Sequence, residues 1–456
     1  MTRALRVVLF VLPLFLVPMV SRPAWAAEPW DAVPAILARI VPPRLPAAQF
    51  DITKFGAKSG EESSGAIAKA IEACVRAGGG HVVVPAGNFL TGPIRLFSRV
   101  DLHLAAGATL RFSQDPARYP NVLTRWEGVE LMNYSPLVYA LDCEDVTVTG
   151  EGTLDGQADA THWWNWKPDE GEQPQKADRN ALFDQNERGV PVAQRVYGAG
   201  HFLRPTFIET YRCRNVLIEG VTIRNAPFWV IHPTLSTNVT IRRVTVSGRG
   251  PNTDGADPES CRDVLIEDCV FETGDDCIAL KSGRNADGRR INMPIENVVI
   301  RGCQMKAGHG GITIGSEVSG GARNIYIEKN RLDSPDLERG LRLKTNSARG
   351  GFIENVFARD IEIGTVQLAP IEIDLRYMSE AGAFTPRVGN VVVERLHSAH
   401  SRHGLYIRAL KDVPLRGVVV RDSTFGGVTD SQVVEGIVDL TLTNVAFEPA
   451  PKEKKP

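Results

Sequence analysis

One short pattern returns along most of this 456-residue chain: Asn or Asp, then β-branched or aliphatic residues in alternation. It reads Asp145-Val146-Thr147-Val148, Asn215-Val216-Leu217-Ile218, Asn238-Val239-Thr240-Ile241, Asp263-Val264-Leu265-Ile266, Asn297-Val298-Val299-Ile300 and Asn324-Ile325-Tyr326-Ile327. Weaker copies start at Asn355, Asn390, Gly417 and Asp439. From Asn215 the steps are 23, 25, 34, 27, 31, 35, 27 and 22 residues. A period of about 20–50 residues marks a chain whose units cannot bury their own apolar face and stack to do so. Each copy reads as strand, turn, strand, turn, with Gly, Asn and Asp at the turns. Propeller blades need four strands in about 40–50 residues, which these repeats cannot supply. The expected fold is all-β, a right-handed parallel β-helix (solenoid) in which alternate residues point to the core. One helix is expected, roughly 64–77, stopped by Gly78-Gly79-Gly80 and capping the first coil.

The rest of the chain is read around that repeat. Arg3 and Arg6, an apolar run from Val7 to Val20 and Ala24-Trp25-Ala26 fit a signal peptide over 1–26. Residues 27–48 read as a linker, 49–448 as one β-helix catalytic domain and 449–456 as a polar tail. The expectation is an exported protein, periplasmic or extracellular, with no membrane segment in its mature form. A net charge of −2 excludes a general affinity for nucleic acid. The seven Cys lack the close pairs of a zinc site and sit at apolar strand positions, so buried thiols are expected, with at most one bridge. A 70-residue gap between Asp145 and Asn215 holds a polar insertion with several Trp. Long ordered loops are usually functional.

The chemistry lies in "NTDG" at 252–255, "GDD" at 274–276, "GHG" at 308–310 and "RLK" at 342–344. Asp254 follows its repeat marker by 16 residues, Asp275 and Asp276 by 12 and 13, His309 by 12, and Arg342 and Lys344 by 18 and 20. Comparable offsets on stacked coils predict one polar stripe along a groove. Crowded acids raise one another's pKa, which gives a protonated acid beside an ionised base, the pair that glycoside hydrolysis uses. Arg342 and Lys344 would hold a sugar carboxylate. Taken singly, each residue also fits a plain role: Asp254, Asp275 and Asp276 in turns, His309 in a surface loop, the two cations in solvent.

In this order the four motifs resemble the signatures of the polygalacturonase family of glycoside hydrolases, with Leu343 where Ile is usual. The resemblance runs from "FDITKFGA" near Phe50 to about Asn444. "TRWEG" at 124–128 and "SEVSGG" at 316–321 resemble the bacterial, often exo-acting members. It implies inverting hydrolysis of α-1,4-galacturonide bonds of polygalacturonate or pectin, with no cofactor and no metal. Asp275 would be the general acid, Asp254 and Asp276 the pair that activates water, and His309 the group that tunes the acid. Asn252 would position the first acid or touch sugar. The insertion at about 157–206 would wall off one end of the groove, with Trp164 stacking on sugar and Arg204 meeting a terminal carboxylate. The expected partner is an acidic polysaccharide or oligogalacturonide; the sequence sets no oligomeric state. The competing functions are a calcium-dependent pectate lyase and a β-helix that only binds polysaccharide.

Overall fold

The computed structural model describes residues 28–450 except 412 and 414; the proposed signal peptide and residues 451–456 of the tail lie outside it. Among the described residues no helix is long and apolar enough to cross a membrane. Strand follows strand, and outside one hairpin the strands described pair in parallel with the strand one coil away. In one ladder Arg214–Glu219 lies on Thr237–Arg242, which lies on Arg262–Glu267 and then on Ile295–Arg301 and Ala322–Glu328. A second ladder stacks Thr222–Arg224, Thr245–Gly248, Val270–Thr273 and Gln304–Ala307. A third runs through Ile208–Tyr211 and Ile231–Thr234, and further on through Ile278–Leu280, Ile312–Ile314, Arg339–Lys344 and Ala369–Asp374. The chain is a parallel β-helix.

The register stacks like on like. Val148, Ile218, Ile241, Ile266, Ile300 and Ile327 fall in one inward row, all buried. Each such side chain contributes about 1.5–3 kcal/mol on burial, so the interior row sets the pairing. The Asn and Asp that mark each repeat occupy the left-handed region: φ is 56° at Asp145, 58° at Asn215 and Asn238, 57° at Asp263 and Asn297, and 58° at Asn324. Asn and Asp tolerate that conformation better than other non-glycine residues. Their side chains then bond from coil to coil. Asn215 donates to Asp145 (2.7 Å), Asn238 to Asn215 (2.7 Å), Asn297 to Asp263 (3.0 Å) and Asn324 to Asn297 (3.1 Å).

Helix α1, Val33–Arg39, lies within the segment expected as a linker. Val33, Ile36 and Ile40 pack on Leu265, Val299, Tyr326 and Phe357, on the outer face of the first ladder. Arg39 bonds to Asp263 (2.6 Å) and Asn238 donates to the Val41 carbonyl (2.9 Å), so this strap covers the step from Asn238 to Asp263, where the amide ladder skips a rung. Helix α2, Ser64–Arg76, buries Ile67, Ala70, Ile71 and Cys74 against the first coil, as expected of a cap. All seven Cys are free and buried; none forms a bridge.

Two additions to the solenoid were not expected. An antiparallel hairpin pairs Asn121–Trp126 with Val129–Tyr134. Inside the insertion, helix α3 spans Gln175–Glu187. Trp126 stacks on Phe228 at 5.2 Å, and both join Val129, Leu131, Leu182, Tyr197, Leu203 and Trp229 in a small second core. That core fixes hairpin and insertion to the outside of the third ladder. Buried ion pairs add to it: Arg125 with Glu259 at 3.0 Å, and Arg195 with Asp287 at 2.6 Å, Asp287 belonging to helix α4, Asn285–Ile291.

Candidate active site

Asp254 and Asp276 stand on adjacent coils at the entry to the third ladder, where Gly255 N–H donates to the Asp276 carbonyl (3.0 Å) and Cys277 N–H to that of Gly310 (2.8 Å). Asp275 precedes Asp276 and faces outward. One oxygen from each of the three carboxyls falls within 4.8 Å of the others. The glycine after His309 is dictated by closeness: a Cβ on Gly310 would stand 2.7 Å from the Asp276 carboxylate. The stripe expected from the repeat offsets therefore exists, and His309 belongs to it, with Nδ1 at 3.0 Å from Asp275 Oδ1.

The surroundings sort the three acids. Burial first, and then the charges of Asp275 and Asp257, push Asp254 well above the ordinary carboxylate range. Burial works the same way on Asp275, but the His309 hydrogen bond, its charge and the Lys344 and Lys281 charges outweigh it and hold Asp275 low. Asp276 is also buried and also held low, by Lys344 and then Arg342. The bond to Asp275 raises His309 to about 9, against the effect of burial. Of the three, Asp254 is thus the one whose protonated form is favoured, whereas the sequence reading gave the acid's part to Asp275.

Arg342 and Lys344 point outward together as expected, but onto acids. Arg342 reaches Asp276 at 3.2 Å and Glu372 at 3.0 Å; Lys344 reaches Asp276 at 2.7 Å. Lys344 also lines the cavity above the trio, a space of about 390 Å³, while Arg342 sits behind it. Sequence reasoning missed Lys281, in the outward row that contains Glu259 and, two coils on, Lys344. Its Nζ lies 3.3 Å from Glu317, 3.5 Å from Asp257 and 3.8 Å from Asp254, over the Trp229 ring at 4.3 Å. The signal was there: Lys281 follows Asp263 by 18 residues, as Arg342 follows Asn324. Glu127, Lys167, Arg179, Trp229, Arg284, Glu317 and Tyr377 also line the cavity and were not singled out.

Two expectations for the insertion are corrected. Arg204 cannot meet a sugar, because it is 0% exposed. Its guanidinium is used internally on Gln175 (2.8 Å), the Pro227 and Pro251 carbonyls (2.9 and 2.6 Å) and Asn252 Oδ1 (2.8 Å). Asn252 in turn donates to Asp275 at 3.3 Å, so Arg204 positions an acid at one remove. Trp164 is not part of the cavity wall; its Nε1 donates to the Ala226 carbonyl (2.9 Å) and its ring lies on Gly250, where a Cβ would come within 2.1 Å. Trp163 is buried, and its ring meets that of Trp166 edge-on at 5.0 Å. These rings anchor the insertion, and other residues of the insertion, Lys167, Gln173, Gln175, Lys176, Arg179 and Asn180, face the cavity.

A sequence profile described as Glycosyl hydrolases family 28 matches residues 199–438. A solved structure, a hyperthermoactive exopolygalacturonase from Thermotoga maritima, is 45% identical with a TM-score of 0.89, covering 92% of this chain and 96% of that one. A probable polygalacturonase of Vitis vinifera is 32% identical over 302 residues, 64% of this chain and 55% of its own length, so the chain spans little more than half of that relative. An exo-poly-alpha-D-galacturonosidase of Dickeya chrysanthemi is 27% identical over 435 residues, 87% of this chain and 70% of its own length.

Proposed function

Since this chain belongs to family 28 of the glycosyl hydrolases, we propose that it is a polygalacturonase that cleaves α-1,4-galacturonide bonds from chain ends, by inversion and without a metal. The observation that carries this is the trio of carboxyls within 4.8 Å, two of which, Asp254 and Asp275, line a cavity one side of which is built by the insertion. The Thermotoga and Dickeya relatives, both named for exo action, support the same mode. The polymer is too large to enter a cell intact, and the leader-like first 26 residues fit a site of action outside the cytoplasmic membrane.

One proton serves the cycle. Burial favours it on Asp254; both Asp254 and Asp275 line the cavity, and Asp275, at 16% side-chain exposure against 4%, is the more open of the two. Passing the proton from Asp254 to Asp275 leaves Asp254 and Asp276 ionised to orient and deprotonate water, while Asp275 protonates the leaving oxygen. The water's proton then replaces the one that was given up. The spacing of the trio is shorter than the roughly 6.5–9.5 Å that inverting pairs keep. Against retention stands Asp276: a cation on each of its oxygens, at 3.2 and 2.7 Å, lowers its nucleophilicity toward carbon and leaves a lone pair on each to orient water. The charge of the trio is likewise matched by Lys281, Arg342 and Lys344 rather than left for a cation such as calcium.

Incubation with polygalacturonate tests the whole reading. Expected are new saturated reducing ends, early mono- or digalacturonate with little loss of viscosity, the β-anomer first by proton NMR, and indifference to chelators. An ultraviolet-absorbing unsaturated product that requires calcium would show a lyase. Binding without new reducing ends would show a binding protein.

A further inference from the structure

Seven cationic side chains line the cavity, and five of them have an anion: Arg179 has Glu127, Lys281 and Arg284 share Glu317, His309 has Asp275 and Lys344 has Asp276. Lys176 is exposed, and water solvates it. Lys167 is different. It is half-buried, and among the described residues no carboxylate lies within ion-pair distance of its ammonium. The two acids that act on it from farther away, Asp275 and Glu127, are committed to His309 and Arg179. Burial, with the nearby Arg204 and Arg179 charges, disfavours its charged form. A cation partly removed from water without a partner is costly, and a carboxylate arriving in the cavity would complete it.

The local fold holds that cation in place. Lys167 N–H donates to the Trp164 carbonyl (3.0 Å), closing the turn Trp164–Trp166. Trp163 is packed edge-on against Tyr119 at 5.5 Å as well as against Trp166. The aromatic cluster of the insertion is thus a mount, and Lys167 is what it presents to the cavity, which Asn252 and Asp275 also line.

We propose that Lys167 receives the carboxylate of the galacturonate seated on the insertion side of the cavity, and that it makes the enzyme reject chains whose sugar there is methyl-esterified or neutral. This rests on the hydrolase assignment and adds Lys167 to Lys344 as a second carboxylate-reading cation lining the cavity.

The test compares wild type, Lys167→Met and Lys167→Arg on a trigalacturonate and on the same oligomer with its terminal carboxyl methyl-esterified. Met keeps the stem and removes the charge. Expected is a fall in kcat/KM on the acid oligomer of about 10–100-fold, the worth of one charge-assisted bond, borne by KM, with the acid-to-ester ratio falling toward one and partly restored by Arg. Free galacturonic acid should raise the melting temperature of wild type but not of Lys167→Met. The empty Met variant should melt no lower than wild type, because it loses an unpaired charge. An unchanged acid-to-ester ratio, or a lower melting temperature of the empty variant, overturns the proposal. A wild type inactive on both oligomers would instead remove the hydrolase assignment, and the galacturonic acid melting shift would still decide the role of Lys167.

Discussion

Lys281→Met asks whether charge holds the floor of the cavity. The lysine is 3% exposed and its Nζ is 3.3 Å from Glu317. At an effective dielectric constant of about 20 that pair is worth about 5 kcal/mol before desolvation is subtracted. Asp254 and Asp257 contribute less, because burial favours their protonated forms. Breaking a buried pair costs about 3–5 kcal/mol. Arg284 still holds Glu317 at 3.3 Å in the variant, so the lower end applies. With an unfolding entropy of about 2.1 cal/mol/K per residue over roughly 420 residues, 3 kcal/mol lowers the melting temperature by about 3–4 °C. Calorimetry reads it. The second arm is Lys281→Met with Glu317→Gln, which removes both charges. The double variant should melt above the sum of the two singles. The sign with pH follows from Glu317, whose carboxyl Lys281 and Arg284 hold below the usual range against burial. The coupling is full above about pH 4.3, the ordinary Glu value, and is lost as pH falls through the lowered one. Strict additivity of the two substitutions at pH 7 would refute the electrostatic account and leave Lys281 as a spacer over Trp229.

Three further outcomes follow from the site. Asp275→Asn should keep the melting temperature within a few degrees and lower kcat by at least about 10²–10⁴-fold, the usual share of a positioned acid; near-normal turnover would remove Asp275 from its role. His309→Gln removes the ion pair with Asp275. Since His309 titrates at about 9 when folded and about 6.5 when unfolded, the stability lost by the variant should be present below pH 6.5, shrink through pH 9 and vanish above it, as urea titrations at several pH values would show. Gly250→Ala sets a methyl within 2.1 Å of the Trp164 ring; it should dislodge the insertion, and product chromatography should then show longer early oligomers with faster loss of viscosity, whereas an unchanged product profile would mean the insertion is not the wall.

What could be read in advance was whatever recurs. The inward rows of Val and Ile and the left-handed Asn and Asp recur because every coil solves the same packing problem, so the solenoid and its polar stripe were visible in spacing alone. Arg342 and Lys344 were correctly placed outward by alternation, yet their anchoring depends on Glu372 one coil on and Asp276 two coils back, which spacing does not report. The insertion lies outside the repeat. Nothing in a period can say that Arg204 turns inward to four acceptors, or that Trp164 caps a glycine while its neighbour Lys167 faces the cavity. The hairpin at 121–134 was hidden for the same reason, since its core partners, Leu182 and Phe228, come from segments far along the chain.

The column of amides beside the first ladder has a consequence for how such a chain can change. Each left-handed Asn or Asp restarts the strand from a fixed point on the coil below, so alignment is re-established once per turn. An error or an added loop is therefore confined to the turn in which it occurs. Steps as unequal as 23 and 35 residues coexist in one column, and a 70-residue departure returns to register when Asn215 meets Asp145 at 2.7 Å. The groove side can be lengthened, recut or given a new wall while the interior stays the same, which leaves the choice of where along a polymer to cut open to modification by insertions alone.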